Sequence, residues 1–234
     1  MRNGRRSTPE RQKRARWGPR WSKVVVFLLC LAPLFWLGWR AWNHLHGSFS
    51  QGLTANPIEF ITHYTGDWTL RLIVITLAIT PFRKSLNLPN LIHYRRMLGL
   101  FAFFYGSLHF LTWIWLDKFF DLREMLDDVG KRRFITLGFA AFVAMIPLAI
   151  TSTAGWIRRL GGKRWQRLHR LIYFTAIGGV IHYYWLVKSD VRKPIFYGIL
   201  AVLLLAWRLH ASIQRPKRTA APPRVNKTPE PVAR

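Results

Sequence analysis

The chain has 234 residues, half of them hydrophobic and 15% aromatic, with 12 tryptophans, and its several apolar runs of nearly 20 residues exclude an ordinary soluble globule. Its formal net charge of +26 would suggest nucleic acid in a soluble protein, but here the cations flank the apolar runs, so the expected partner is a lipid bilayer and not nucleic acid. The one cysteine, Cys30, lies inside the first apolar run, which excludes a disulfide framework, a cysteine metal site and covalent C-x-x-C-H haem attachment.

Residues 1–23 carry nine Lys/Arg and one Glu without apolar periodicity, so they are expected as a disordered basic cytoplasmic tail. Arg5-Arg6 is a twin arginine, but Ser-Thr-Pro-Glu follows where an apolar stretch should begin, which argues against an export signal of that kind. Residues 24–39 form the first predicted span, and with no small-residue cleavage site after it the span is expected to stay as an anchor. Asn56-Pro57-Ile58-Glu59 reads as a helix start: a capping Asn, Pro at the first helical position, then an early acid. It opens a short amphipathic piece predicted to end near Gly66. The second span is predicted over 68–82, with Arg71 reaching out to the interface and Pro81 marking its end.

The third predicted span, 97–116, has His109 as its only ionisable group, and the fourth, 134–153, has none. The fifth, 168–187, is an apolar run with basic residues at both ends and two histidines, His169 and His182. Twenty residues at ~1.5 Å each make ~30 Å, the hydrocarbon thickness of a bilayer. The sixth span, 194–207, is short. If the N-terminus is inside and six spans alternate, 26 of the 36 Lys/Arg fall inside and eight of the ten Asp/Glu fall outside, the positive-inside signature. The expected fold is all-α: a polytopic membrane protein with a six-transmembrane-helix bundle over 24–210, both termini cytoplasmic, and a second disordered basic tail over 211–234.

An ionisable residue inside a span is costly unless it has a partner, and imidazole is the usual axial ligand of haem iron. Of the eight histidines, His44 and His46 fall in an exterior loop, His63 on the short exterior helix, His93 in an interior loop and His210 just past the last span, where solvent or the interface explains them. His109 lies 13 residues beyond Arg96 and His182 lies 12 beyond Arg170, so the two sit at matching depth on parallel spans. Gly106 and Gly178 lie one turn below them on the same faces and would clear space for a flat macrocycle. Ordinary small-residue packing with histidines hydrogen-bonded across the bundle is the alternative; ligation of one low-spin b-type haem by His109 and His182 is the reading adopted. His169 lies among Arg167 and Arg170 at the interior interface, roughly 20 Å along the helix from His182. It is open to ligation of a second haem or to contact with a flavin or quinone.

LGGKRWQRLHRLIY at 160–173, with His182 thirteen residues beyond His169, resembles the MsrQ family, the haem-binding membrane subunits of periplasmic methionine-sulfoxide reductase systems. NPIEFITHYTGDWTLRLIVITLAITPFR at 56–83, RRMLGL at 95–100 and LHF around His109 match in the same order, so the resemblance covers about residues 20–210. That family belongs to the ferric-reductase-like transmembrane superfamily. The resemblance implies haem b and flavin mononucleotide (FMN) as cofactors and the bacterial inner membrane as location. It also implies electron delivery to a periplasmic molybdopterin enzyme of the MsrP type, for repair of oxidised methionine in proteins. The family histidines map to His109, His169 and His182. Where two-haem oxidases of the superfamily have another histidine on the third span, this chain has Arg95 and Arg96, a departure that counts against a conventional second bis-histidine site but leaves the number of haems, one or two, open. Arg95, Arg96, Lys163, Arg164 and Arg167 cluster beside His169 and could take the phosphate of a flavin, dock a donor protein, or contact anionic lipid.

Two other functions compete with an electron-transfer subunit. A self-sufficient ferric reductase or oxidase needs a dinucleotide-binding domain, and the 27 residues after Trp207 have neither strands nor G-x-G-x-x-G. A haem-free transporter or scaffold would use its histidines for proton relay or packing. The donor is open among the quinol pool, a cytoplasmic flavin reductase and a bound flavin. The loop over 117–133, with five acids and five bases, and the segment over 41–67 are the exterior connections that could dock a partner.

Overall fold

In hydrocarbon a chain must close its backbone hydrogen bonds within its own segments, and every element among the described residues is helical. The computed structural model describes residues 20–47, 53–187 and 190–214; of the expected disordered tails over 1–23 and 211–234, residues 1–19 and 215–234 lie outside them, while 20–23 and 211–213 are helical, continuing the first and last spans. Eight α-helices follow among those residues: α1 Arg20–Leu45, α2 Pro57–Ser85, α3 Ile92–Thr112, α4 Leu122–Lys131, α5 Arg133–Ile150, α6 Ala154–Leu168, α7 Leu171–Leu186 and α8 Arg192–Ile213. A 3₁₀ turn, Pro89–Leu91, leads into α3, and a π-helical turn, Trp113–Asp117, extends it.

Four segments are long and apolar enough to cross a membrane: Trp21–Leu45, Pro89–Asp117, Arg133–Ile150 and Arg192–Ile213. Their outward sides carry exposed Leu29, Phe35, Phe196 and Val202, a surface that water does not tolerate over such an area. The chain is a helical membrane protein. The sixth predicted span is longer than expected, since α8 runs 22 residues and includes Arg208 and His210. Two other predicted spans, α2 and α7, fall outside that set of four. The α7 helix has only 16 residues, and α2 carries Asp67 and Arg71 among its apolar residues.

Helix α2 begins as the sequence indicates: Asn56 Oδ1 accepts from Glu59 N–H, and Pro57 takes the first helical position. It does not stop at Gly66 or at Pro81 but runs unbroken for 29 residues. Gly66 stays helical because the missing side chain is the point: a Cβ there would lie 3.1 Å from the His109 ring. Pro81 removes the N–H that would bond Leu77 C=O, and Arg208 Nη2 on α8 donates to that oxygen instead, at 2.7 Å. Arg71, expected at the interface, is tied to its neighbours in the bundle. Its Nε donates to Tyr197 Oη at 2.9 Å, its guanidinium sits 4.9 Å over the Trp68 ring, and Asp67 lies 3.8 Å away.

The most extensive helix contacts are α2 with α3 and α5 with α7; α3 also meets α5, and α2 meets α7. These four helices form the inner bundle. Helix α1 packs on α3, and α8 packs on α2 and α7. Leu72, Leu77, Phe101, Tyr105, Met145 and Ala176 fill the centre, and Tyr105 Oη donates to Cys30 C=O at 2.8 Å to tie α1 on. Gly161 (φ 72°) kinks α6, the basic helix that joins α5 to α7.

Candidate functional site

The four inner helices leave a cavity of about 660 Å³ between them, within the roughly 300–1,000 Å³ usual for cofactor sites. His109 from α3 and His182 from α7 project into it. Their ring centroids lie 6.1 Å apart with planes at 79°, so the two predicted depths do meet. An imidazole–metal bond is about 2 Å, and one metal ion fits between rings so spaced.

The hydrogen bonds behind the rings fix their chemistry. His109 Nδ1 lies 2.9 Å from Thr62 C=O on α2, and His182 Nδ1 lies 2.6 Å from Phe134 C=O on α5. A carbonyl oxygen can only accept, so each Nδ1 carries the proton and each Nε2 keeps its lone pair. Neither Nε2 has a hydrogen-bond partner among the described residues. A ring nitrogen anchored to a carbonyl, with the other left free, is the arrangement of metal-ligating histidines.

Each ring is also seated against a glycine. A Cβ at Gly138 of α5 would fall 2.6 Å from His182 Nδ1, an overlap that only glycine avoids, and Gly66 stands the same way behind His109 at 3.1 Å. The expected roles of Gly106 and Gly178 divide. Gly106 lines the cavity, whereas a Cβ at Gly178 would meet Ala141 and Leu137 at 3.4 and 3.6 Å, so Gly178 serves the close packing of α7 on α5. Gly179, its neighbour, takes the place on the cavity wall. The rest of the wall is largely apolar, from Ile73 and Met145 to Phe110, Phe139 and Phe142, while Asn56, Glu59, His63, Asp117 and Arg132 stand at one end. His63, expected as an exterior histidine, is exposed there and also lines the cavity.

The other predicted site residues lie elsewhere. His169 does not line the cavity; its Nε2 is 3.0 Å from Thr151 Oγ1, and its ring stacks on Trp165 at 4.0 Å. Trp165 Nε1 donates to Thr151 C=O at 2.9 Å, which ties the end of α6 back to the C-terminus of α5. Arg95 is half-buried within electrostatic reach of His169, Arg208 and Tyr173, while Arg96 and Arg164 are exposed. The Arg95 guanidinium makes no hydrogen bond or ion pair among the described residues. Sequence reasoning missed Thr62, Phe134, Gly66 and Gly138. Two of these act through the backbone and two through an absent side chain, so residue type gave no signal beyond small residues facing a histidine.

Residues 65–180 match the family described as ferric reductase like transmembrane component. Over 171 residues, 72% of this chain and 78% of the relative, the chain is 59% identical to the protein-methionine-sulfoxide reductase heme-binding subunit MsrQ of Herminiimonas arsenicoxydans. It is 50% identical to the MsrQ subunit of Bordetella pertussis over 80% of this chain and 86% of that one. With the subunit of Caulobacter vibrioides the figures are 48%, 79% and 85%. No solved structure matches. Identity of this order, carried across most of both chains and joined to an all-helical membrane fold, means that the chain belongs to the MsrQ family.

Proposed function

We propose that this chain is a membrane b-type cytochrome, the electron-transfer subunit of a methionine-sulfoxide reductase, with His109 and His182 as the axial ligands of one haem b. The observation that carries the reading is the pair of Nδ1–H bonds to Thr62 and Phe134 carbonyls, which aims two unprotonated Nε2 atoms into one cavity. Haem b supplies reversible one-electron transfer when bound. The residues around it orient and exclude. Thr62 and Phe134 hold the tautomer and the ring angle, Gly66 and Gly138 admit the rings, and the Phe110, Phe139 and Phe142 wall keeps water out. Held by both imidazoles, a haem would have no coordination site open to oxygen, which favours electron transfer over oxygen chemistry.

Six crossings, by α1, α2, α3, α5, α7 and α8, put both termini in the cytoplasm and carry the chain through the bacterial inner membrane. The positive-inside asymmetry supports this orientation. Electrons enter at the inner face, from the quinol pool or a cytoplasmic flavin reductase. They leave at the cavity mouth to a periplasmic molybdopterin methionine-sulfoxide reductase of the MsrP type, held as a heterodimer. At the inner face, Arg95, Arg96 and Arg164 take the phosphate of FMN by charge-assisted hydrogen bonds, beside His169 and the flat face of Trp165. The Arg95 guanidinium, unpaired among the described residues, suits that role.

The test is reconstitution in liposomes, with reductant inside and the sulfoxide reductase and its substrate outside. Reoxidation of the haem should require both the outside enzyme and a methionine sulfoxide. Reoxidation at the same rate by ferric chelate or oxygen alone would instead establish a ferric reductase.

A further inference from the structure

The segment between α3 and α5 buries two of its charges, Lys118 and Asp128, and leaves its large apolar side chains exposed. Lys118 is only 5% exposed. Its Nζ lies 2.7 Å from Glu124 Oε1, 2.7 Å from Asp128 Oδ2 and 3.9 Å from Asp117 Oδ2, and Asp128 Oδ1 in turn lies 3.2 Å from Arg132 Nε. Glu124 and Asp128 are four apart and share one face of α4. Leu122 and Leu126 are also four apart but rotated by about 200°, so they share the opposite face. They are 69% and 70% exposed, next to Phe119 at 77% and Phe120 at 61%.

The two phenylalanines are held in that exposed position at a backbone cost. Phe119 (φ 47°) and Phe120 (φ 62°) both occupy the left-handed region, which bulky side chains avoid and which persists only where surrounding bonds enforce it. Those bonds are present. Phe120 N–H donates to Ile114 C=O at 3.0 Å and Asp121 N–H to Lys118 C=O at 2.9 Å, and Asp121 Oδ1 caps α4 by accepting from Arg123 and Glu124 N–H.

We propose that this segment is a membrane-seated collar, with Phe119, Phe120, Leu122 and Leu126 inserted among lipid headgroups and upper acyl chains beside the cavity mouth. Lipid is the occupant because the patch continues the outward apolar surface of the adjoining span: Leu111 and Trp115, at the same end of α3 and its π turn, are 43% and 56% exposed. Aromatic rings at a span end are the usual interfacial anchors, and a short helix with one apolar face lies in the plane of the interface. The collar bears on the site because Asp117 and Arg132, which flank it, both line the cavity. Lys118 is a positioning residue that joins the lipid-seated helix to the mouth.

The experiment uses the full chain in liposomes, with single cysteines at Phe120, Leu126 and Asp127 carrying an environment-sensitive fluorophore in a Cys30→Ala background. If that background fails to insert, labelling proceeds in the parent, whose only thiol is buried. Nitroxide on a shallow acyl carbon of the lipid should quench positions 120 and 126 at least about threefold more than aqueous iodide does, with the order reversed at 127, as for an interfacial helix. Lys118→Met should erase the contrast between 126 and 127. Equal iodide access at 126 and 127 would overturn the proposal. Protection of 126 that appears only when a soluble sulfoxide reductase is added would overturn it too, by making protein the occupant.

Discussion

Arg208 on α8 donates through Nη2 to the carbonyl of Leu77, the oxygen that Pro81 leaves without its helical partner. The same guanidinium reaches Thr80 Oγ1 at 3.2 Å and, through Nη1, Tyr173 Oη at 3.0 Å, so one side chain ties α8 to α2 and α7. Arg208→Met should leave a buried carbonyl unsatisfied and cost about 1–3 kcal/mol. Pro81→Ala restores the N–H, so the double variant should lose less than Arg208→Met alone. Thermal unfolding of all three in detergent measures the coupling. Equal losses in the single and double variants would show that the carbonyl is not what Arg208 serves.

His109→Ala and His182→Ala should each abolish the low-spin haem spectrum in protein that still inserts. Gly138→Ala tests the support behind the ligand. Its Cβ would fall 2.6 Å from His182 Nδ1 and displace the ring, whereas Gly66→Ala meets His109 at 3.1 Å, where a shift of a few tenths of an ångström relieves the contact. Haem content should therefore fall in the order Gly138→Ala before Gly66→Ala. Absorption spectra at equal protein concentration read both, and full retention in either histidine variant would sink the axial assignment.

The depth match of His109 and His182 was legible because it depends only on helical rise from basic residues that mark the interface. What could not be read were features completed by distant residues. Gly66 and Pro81 are helix breakers in a local window, yet α2 runs through both, since His109 fills the space beside one and Arg208 answers the carbonyl freed by the other. Arg71 reads as an interfacial arginine, and nothing local points to its partner Tyr197, 126 positions away, which accepts its Nε–H. The span over 134–153 reads as inert because it lacks ionisable residues, but it supplies the Phe134 carbonyl and Gly138. The 117–133 loop reads as a mixed-charge exterior connection, and no local pattern reveals that Lys118 and Asp128 are buried together.

At the inner face, Arg95→Gln with Arg96→Gln should lower FMN content and slow haem reduction by an inside donor, while the His109–His182 spectrum stays intact. Arg95 stands half-buried beside His169 without an acidic partner among the described residues, so a bound anion is the natural counter-charge. His169→Ala should act in the same direction and also leave the outer spectrum unchanged. Flavin extraction and stopped-flow reduction provide the readouts. Normal flavin content and rate in the double variant would favour contact with anionic lipid as the role of the patch.

The Lys118 cluster makes a pH prediction whose sign follows from the direction of its shift. Hydrogen bonding to Asp128, and then to Glu124, raises the Lys118 ammonium above the ordinary lysine range, with burial opposing. A group whose folded value is raised contributes stability that is fully present below its unfolded value, about 10.4 for lysine, and lost as pH rises through the folded value. The contribution should therefore be flat across the neutral range and disappear only in strong alkali. Hydrogen exchange of the α4 amides should show constant protection from the cluster up to about pH 9 and loss above the lysine range. In Lys118→Met that alkaline step should vanish, and protection should already be low at neutral pH because Asp128 is left buried without its ammonium partner. An alkaline step of the same size in the variant would assign the transition to another group.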